Sequence, residues 1–308
     1  MTKFNYGGQA VMEGVMMRGA QRCAVCVRQP SGEIVTHGEP LPAALYRGRI
    51  SKWPFVRGLV MLWDALGLGM RALIWSANVA LGEEEEVRFS GPLAWGTVAL
   101  SLALAVGLFF LLPMFLVSLL DRAIASPLLS NLAEGLVRLG LFVGYLWAIG
   151  FMPDIRRVFA YHGAEHKTIN AYEHGAALEP AEVAHYPRAH TRCGTSFMLI
   201  VLVVFIVLAT LMGRPPIVLR LLSRLVLIPL VTGVAYEAIR LLARLHERSA
   251  LARLLIAPGL ALQRLTTREP DEQMLEVSIA ALREVLRSEG LLPAEGAAAA
   301  PALGAAPS

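Results

Sequence analysis

Residues 89–120 read FSGPLAWGTVALSLALAVGLFFLLPMFLVSLL and contain no charged side chain. A second uncharged run extends from Cys193 to Gly213. A helix needs about 20 apolar residues to cross the hydrocarbon core of a bilayer, and it pairs its backbone groups internally. Helices of soluble domains average only about 11–12 residues. Both runs therefore predict membrane spans rather than buried helices of a soluble protein.

Two weaker candidate spans follow. Residues 136–153 are apolar apart from Arg138, and residues 217–239 keep their charged residues near the two ends: Arg220, Arg224 and Glu237. Arginines at a span's end can extend to the interface. With 56% hydrophobic and 17% charged residues overall, the chain is predicted to be a mainly α-helical, polytopic membrane protein of about four spans, embedded in a lipid bilayer.

The basic residues of the connecting segments predict the orientation. Ten Lys and Arg residues precede the first span and eight follow the last, whereas the first connection carries Arg122 alone. The second connection is also basic, and only Arg214 in the third argues mildly against the pattern. By the positive-inside rule, both termini and the second connection are predicted to lie on the cytoplasmic side of the membrane. The net charge of +4 is too dispersed to indicate nucleic-acid binding.

The polar segments divide the rest of the chain. Runs at Arg22–Arg28 and Glu33–His37, joined at residues 30–32, predict a β-hairpin, preceded by a glycine-rich motif at residues 6–19 whose backbone turns tightly or lies close to another segment. The predicted units are a small hairpin-containing polar unit, an amphipathic helix with an acidic turn, the four-span domain with its cytoplasmic His-rich segment 154–195, interfacial and soluble helices, and a disordered tail: residues 1–53, 54–88, 89–247, 248–290 and 291–308.

Three helical details are predicted outside the spans. In residues 54–81 a polar residue recurs every seven positions, on one helical face, at Arg57, Asp64, Arg71 and Asn78. We interpret it as a charge row facing the polar unit rather than as an interfacial helix. Residues 250–265 predict two short helices broken at Pro258-Gly259, and residues 271–287 predict an amphipathic helix entered through Pro270. The acidic run 83–86 is interpreted as a solvated turn.

Histidines mark the second connection. Five of the seven lie between positions 162 and 190. His162 and His166 are spaced i, i+4, which places both imidazoles on one helical face where they can share a metal ion. With Glu165 they form His-x-x-Glu-His, the pattern of the inverted zincins, in which the Glu acts as the base toward water at the metal. The competing interpretation is ordinary interfacial hydrogen bonding.

The remaining ligands are left open by the sequence. His190, Cys193 and Glu237 are all candidates, and a divalent metal with zinc favoured is the predicted cofactor. Glu173 lies two helical turns, about 10.5 Å, beyond His166, too far to share its ion but suited to support the site. Cys23 and Cys26 are predicted to face opposite sides of a strand, which argues against joint metal binding.

The quoted motifs also carry a resemblance. The chain resembles the YqhQ-like bacterial membrane proteins (domain of unknown function 1385) over residues 4–285. The matching motifs include Gln9, Glu13 and Arg18 in the opening block, Glu173 in the centre, and Thr267, Arg268 and Glu269 near the end; in full they are residues 7–18, 162–167, 172–173, 192–195, 258–259, 262–263 and 266–270. The resemblance implies a multi-pass protein of the bacterial plasma (inner) membrane, in a family sometimes labelled as predicted metal-dependent enzymes. The Cys23/Cys26 pair and the Ala-rich tail lie outside it.

These features are compatible with two functions. The first is a metal-dependent hydrolase acting on a membrane-associated peptide or lipid-linked substrate, with Glu165 as general base and Arg18 or Lys167 stabilising developing negative charge. The second is a non-enzymatic assembly or biogenesis factor whose His-rich segment docks a partner. Transport is disfavoured because four spans with few internal charges need an oligomer to form a pore, although an oligomer is compatible with the sequence. In either case the glycine motif, the His-rich segment and residues 266–270 are expected to converge.

Overall fold

The computed structural model describes residues 6–42, 53–82, 91–120, 124, 126–213, 216–246 and 248–293. A small N-terminal sheet precedes a mainly helical chain, as predicted. The acidic run 83–86 and most of the Ala-rich tail, from residue 294, lie outside the described residues.

The sheet contains four antiparallel strands in sequential order. They are β1 (Gly7–Val11), β2 (Gly14–Arg18), β3 (Arg22–Arg28) and β4 (Ile34–Pro40). The hairpin of β3 and β4 confirms the prediction, and the glycine-rich motif adds the hairpin of β1 and β2. Its turn is formed by Met12 and Glu13, and Glu13 adopts a positive φ of 50°, a left-handed conformation that is uncommon for residues other than glycine.

The helices follow in chain order. They are α1 (Val56–Trp63), a π-helical segment (Asp64–Leu68), α2 (Gly69–Leu81), α3 (Gly91–Val106), a second π-helical segment (Gly107–Leu111), α4 (Leu112–Ser118), α5 (Pro127–Ile149), α6 (Pro153–Glu173), α7 (Pro180–Val183), α8 (Gly194–Leu211), α9 (Ile217–Leu245), α10 (Ala250–Thr266) and α11 (Glu272–Ser288).

Both faces of the sheet are buried. Val11, Val25 and Val27 form one apolar cluster with residues of α2, and Val15 with Ala24 belongs to another that includes much of α11 and α6. Alternation along β3 therefore places Cys23 in the first cluster and Cys26 in the second. Both are free thiols, which confirms that they face opposite sides of the strand.

Four helices in the described part of the chain are long and apolar enough to cross a membrane: Trp95–Ser118, Pro127–Ile149, Gly194–Leu211 and Val226–Leu245. The number of spans agrees with the prediction. The second begins at Pro127, nine residues before the predicted boundary at 136. The sequence boundary was wrong because Glu134 and Arg138 neutralise each other: their side chains are buried and lie 2.7 Å apart, so both charges fit inside the span.

The prediction of two helices in residues 250–265 is wrong, because α10 is continuous through Pro258. One face of α10 is buried at helical spacing, at Ala252, Ile256, Gly259 and Gln263. An internal proline costs a helix about 3 kcal/mol. Burial of this face against α8 and its neighbours offsets that cost, since each fully buried large apolar side chain contributes about 1.5–3 kcal/mol.

The polar stripe of residues 57–78 pairs with two different parts of the molecule, the sheet and the fourth span, rather than with one. Arg71 on α2 lies 3.3 Å from Glu39 on β4, as expected for a row facing the polar unit. Arg57 on α1 instead pairs with Glu237 of the fourth span. The stripe therefore joins the sheet to the membrane helices, and the prediction of a single facing partner was incomplete.

Candidate metal centre

Helix α6 is buried along most of its length although its sequence is polar. It begins with Pro153 at the first helical position, where the missing N–H costs nothing. It ends at Glu173, and Gly175, which has a positive φ, closes a Schellman-type motif in which the Ala176 N–H donates to the Ala171 carbonyl. Its buried polar residues are Glu165, His166, Lys167, Thr168 and Asn170. Charged side chains are almost never fully buried unless they are paired, which marks this helix as the centre of a site.

Three ligand atoms converge beside α6. His162, His166 and Cys193 each offer one atom, and the three atoms lie within 4.8 Å of one another. The Nε2 atom of His162 lies 3.3 Å from the Sγ atom of Cys193. In a tetrahedral zinc site, bonds of about 2.0 Å to nitrogen and about 2.3 Å to sulfur separate these two atoms by about 3.5 Å. The spacing therefore fits zinc.

Backbone carbonyls fix the orientation of both imidazole rings. His162 Nδ1 is 2.9 Å from the Thr266 carbonyl oxygen, and His166 Nδ1 contacts the Arg188 carbonyl oxygen. A carbonyl only accepts, so each Nδ1 carries the hydrogen and each neutral ring directs a lone pair from Nε2. Ligating histidines in metalloproteins are held by such partners. Both rings are therefore arranged as Nε2 ligands.

Cys193 is placed by the start of the third span. It is the N-cap of α8, and its Sγ accepts a hydrogen bond of 3.4 Å from the Thr195 N–H. A helix N-terminus favours an anionic group, and the thiolate is the form of cysteine that binds metals. Helix α8 therefore supplies both the position and the electrostatic environment of the third ligand.

Glu165 lies against this group. Its Oε1 accepts a hydrogen bond of 2.8 Å from the Gly8 N–H on strand β1, and its Oε2 is 3.5 Å from His166 Nε2. A Cβ on Gly8 would overlap the Met16 carbonyl oxygen and press on Glu165, so only glycine allows this approach. Gly8 remains exposed although Glu165 is buried, so the site approaches solvent beside β1.

The segment after α10 packs across α6. The Arg268 N–H donates a hydrogen bond of 2.8 Å to the Phe159 carbonyl. Gly163, between the two histidine ligands, permits the contact because a Cβ there would overlap the Arg268 carbonyl oxygen. The glycine motif, the His-rich segment and residues 266–270 therefore meet at one place, as expected. Their position on the cytoplasmic side stays a prediction.

His190 and Glu173 lie beside the group rather than in it. The His190 ring centroid is 5.6 Å from that of His166, but its Nε2 is directed at Glu173, 3.6 Å from Oε2. Glu173 also pairs with Arg192. Burial acts to raise the pKa of Glu173, but the neighbouring His190 imidazole and the Arg192 guanidinium outweigh it and lower the pKa to about 2. Glu173 thus anchors the segment that carries Cys193.

Glu237 is not a ligand. Its carboxylate accepts hydrogen bonds from the Arg57 guanidinium and from the Phe55 N–H. The sequence suggested a ligand because an acid in a span is a functional candidate. It missed the correct partner because Arg57 lies 180 residues away in the chain. The Glu237 prediction is therefore corrected to an ion pair between α1 and α9.

The other predicted site residues make contacts outside the group of three ligand atoms. Arg18 ends β2 opposite Gly7, and Glu13 binds Arg157 with oxygen–nitrogen distances of 2.5 and 2.6 Å. The remaining side chains make these contacts: Gln9 lies against Gly69 on α2, the Thr267 hydroxyl donates to the Gln263 carbonyl, the Arg268 guanidinium donates to carbonyls at the end of α10, and Glu269 pairs with Lys167 and Arg188.

Two residues near the site were not predicted for it. Gln263, which is 1% exposed, accepts from the His190 N–H and donates to the His190 carbonyl and to Ser196. The sequence signal that could have identified Gln263 is a glutamine on the otherwise apolar face of a predicted helix. The carbonyl group of Arg188 contacts the His166 ring. The sequence cannot indicate such a contact, because every residue carries the same backbone carbonyl.

The chain was compared with known proteins. Residues 53–288 match a family model described as "Protein of unknown function (DUF1385)". The chain is 36% identical over 299 residues to "Uncharacterized protein YqhQ" of Bacillus subtilis (strain 168), and the alignment covers 93% of each of the two chains. No solved structure matches.

Proposed function

The chain belongs to the DUF1385 family, and we propose that it is a metal-dependent hydrolase at the cytoplasmic face of the bacterial inner membrane. Its substrate is a membrane-associated peptide or lipid-linked molecule. The observation that carries the proposal is the convergence of His162, His166 and Cys193, whose ligand atoms lie within 4.8 Å of one another. Three protein ligands leave a fourth position open, which is the arrangement of catalytic zinc sites.

Zinc is the proposed ion because two imidazole nitrogens and one thiolate suit it. When bound, the ion supplies Lewis acidity toward water and toward a carbonyl or phosphoryl oxygen. The protein's part is to hold the ligands, and the carbonyl groups of Thr266 and Arg188 do so by fixing the two imidazole rings.

Glu165 is the proposed general base. The Gly8 N–H holds one carboxylate oxygen, while the other lies 3.5 Å from the lone-pair nitrogen of His166. A carboxylate fixed at one oxygen keeps the second available to accept a proton from an attacking water molecule. Arg18 remains a proposed stabiliser of developing negative charge, whereas the Lys167 ammonium group is held by Glu269 and the Ala184 carbonyl.

The location of the ligands supports a substrate at the membrane surface. Cys193 directly precedes the third span, and α6 begins four residues after the second span ends at Ile149. Because Cys193 lies at the entry to the third span, a substrate anchored in the bilayer reaches the centre at the membrane surface.

The first test is the metal content of the full-length protein purified in detergent, measured by mass spectrometry. We expect about one zinc per chain in the wild type and none in His162→Ala/His166→Ala or Cys193→Ser. His185→Ala is the matched control, because His185 belongs to the same segment but is exposed and outside the group. If the wild type contains no metal and takes up none on titration, the hydrolase proposal fails.

The second test separates the two functions. Glu165→Gln is expected to retain the metal and to lose about 10²–10⁴-fold in activity, measured with ester, phosphodiester and peptide substrates in mixed micelles. The 3.5 Å spacing between Glu165 and His166 also favours a second candidate, in which Glu165 is a fourth ligand. That site would be closed and structural, and the protein would be an assembly factor. Loss of the metal in Glu165→Gln would support that candidate.

A further inference from the structure

Two cationic side chains next to the metal centre share one carboxylate. Lys167 Nζ lies 2.6 Å from Glu269 Oε1, and Arg188 Nε lies 3.0 Å from Glu269 Oε2. Lys167 also donates to the Ala184 carbonyl at 2.7 Å, and Arg188 Nη1 donates to the Thr267 carbonyl at 3.4 Å. Each oxygen of the carboxylate therefore faces a different cation.

The two sides of this cluster differ in burial. The Lys167 side chain is 6% exposed and that of Arg188 37%, whereas that of Glu269 is 64% exposed. A buried ammonium group needs an anion, because leaving it unpaired is very costly. Glu269 loses little by departing, since water can hydrate an exposed carboxylate. The cations are therefore built into the fold, while the carboxylate is exchangeable.

The charges are incompletely balanced. Lys167 and Arg188 carry two positive charges and Glu269 one negative charge, which leaves one positive charge in excess. A phosphate group carries about −1.5 to −2 charges at neutral pH and offers three acceptor oxygens. Arginine and lysine are the side chains that proteins use to bind phosphate. A phosphate group therefore matches the pair of cations better than Glu269 does.

The cluster is connected to the metal centre through the backbone. His166 precedes Lys167 directly, and the Arg188 carbonyl holds the His166 ring. Glu269 follows Thr266, whose carbonyl holds the His162 ring, by three residues, a chain length of at most about 11 Å. A group bound by the cations would lie near the centre and yet be distinct from the atoms that react.

We propose that Lys167 and Arg188 form a binding subsite for a phosphate group of the substrate, and that Glu269 occupies this subsite when substrate is absent. The substrate class of the proposed hydrolase is then a phosphate-bearing molecule, and this assignment of the substrate rests on the proposed function. The binding of a phosphate group at this subsite does not depend on the proposed function. Two sources offer the same chemistry: a lipid headgroup and a soluble phosphate compound.

The test is anion binding by the full-length protein in a phosphate-free maltoside detergent. The probes are radiolabelled orthophosphate, measured by equilibrium dialysis, and soluble dihexanoyl phosphatidate, measured by calorimetry. If Glu269 fills the subsite about nine-tenths of the time, Glu269→Gln binds phosphate about tenfold more tightly than the wild type. Glu276→Gln is the matched control, because Glu276 pairs with Arg28 in a salt bridge elsewhere and its loss is expected to change nothing.

Removing a cation gives the opposite effect. Glu269→Gln/Arg188→Gln is expected to lose the tight binding, and since Arg188 is partly exposed, this variant avoids the folding risk of replacing buried Lys167. Binding of orthophosphate supports the subsite with a soluble source, and binding of phosphatidate alone supports it with a lipid source. Equal affinities for both probes in wild type and Glu269→Gln would overturn it.

The same titration in His162→Ala/His166→Ala keeps the two proposals apart. Retained binding there shows that the subsite is independent of the metal. Binding lost in that variant but kept in the Arg188 variant would place the phosphate at the metal centre and overturn the subsite. A wild type without metal that still binds phosphate through Arg188 would end the hydrolase proposal and leave the subsite standing.

Discussion

The residues around the metal centre obtain most of their polar contacts from backbone groups. Side chains of α6 donate to the carbonyls of the segment that follows α7, in these pairs: Lys167 with Ala184, Asn170 with Pro187 and Ala189, and His166 with Arg188. Buried polar groups are tolerated only when they are hydrogen-bonded. The segment from Ala184 to Ala189 therefore belongs to the site, although it has no regular secondary structure.

At the scale of single residues, Gly8→Ala is predicted to disturb the centre from β1. The added Cβ would overlap the Met16 carbonyl and press on the Glu165 side chain, so β1 must shift and the Gly8–Glu165 hydrogen bond is lost. We expect a loss of about 1–3 kcal/mol in unfolding free energy together with reduced activity. Thermal unfolding in detergent checks this. Gly7→Ala is the control, since a Cβ at Gly7 has no atom within 4 Å; equal effects of both substitutions would contradict the explanation.

The lowered pKa of Glu173 predicts a pH-dependent contribution to stability. The folded protein holds this pKa at about 2, below the unfolded value of about 4.3. The ionised Glu173 thus stabilises the fold above pH of about 4.3, and this contribution disappears as the pH falls toward 2. Glu173→Gln is expected to lower stability by about 2–3 kcal/mol at neutral pH.

The measurement is the difference in unfolding free energy between wild type and Glu173→Gln from pH 7 downward. The difference should be constant near neutrality and shrink below pH of about 4. An unchanged difference at pH of about 2.5 would show that Glu173 contributes through packing rather than through charge.

At the scale of helices, the arginine of a buried ion pair donates a hydrogen bond to a carbonyl of the second π-helical segment inside the membrane domain. Pro113 has no N–H, so the Phe109 carbonyl cannot find its usual helical donor four residues later. Arg138 Nε supplies one at 2.7 Å, and its guanidinium lies over the ring of Phe205 at 4.9 Å. Arg138 therefore satisfies the Phe109 carbonyl and the Glu134 carboxylate in one place.

Removing only Arg138 from the Glu134–Arg138 ion pair is predicted to destabilise the protein more than removing both partners. Arg138→Met leaves Glu134 buried without its cation and should cost about 3–5 kcal/mol. Glu134→Leu/Arg138→Met removes both charges and should recover most of the loss. Thermal unfolding in detergent measures both, with Leu136→Met, at a lipid-facing position 57% exposed, as the control. A double variant as unstable as the single one would show that the pair has a role beyond mutual neutralisation.

At the scale of the molecule, one polar assembly lies at one end of the span bundle. The sheet is packed between α2 and α11, and β1 contacts α6. Arg28 on β3 also binds Glu276 on α11. Because these elements precede the first span, connect the second to the third and follow the fourth, an even number of crossings places them on one side.

This arrangement predicts the labelling of single cysteines in intact cells. His185→Cys, at an exposed position, should react with a membrane-impermeant maleimide only after lysis, whereas Leu120→Cys, 55% exposed at the far end of the first span, should react before it. The three native cysteines are buried, which keeps the background low. Labelling of His185→Cys in intact cells would place the metal centre outside and overturn the positive-inside assignment.

Local patterns in the sequence predicted most of the elements. Uncharged runs identified the spans, turn residues identified the β3–β4 hairpin, and the i, i+4 spacing of His162 and His166 identified two members of the metal group. Each of these depends on neighbours within a few residues, where helix and strand geometry fix which side chains share a face. The errors also arose locally: Pro258 ends most helices but not α10, and Arg138 marks a span boundary unless Glu134 accompanies it.

The composition of the site, in contrast, depended on tertiary structure. Cys193 belongs to the candidate metal group, whereas Glu237 pairs with Arg57, which lies 180 residues away in the chain. The partner of Glu165 is a backbone N–H at Gly8, 157 residues away, and the exposed Glu269 lies over the buried Lys167. Sequence determined which elements form because their signals are periodic and local. Only tertiary structure decided the contacts, because a backbone donor has no side-chain signal and distant partners become neighbours only once the chain has packed.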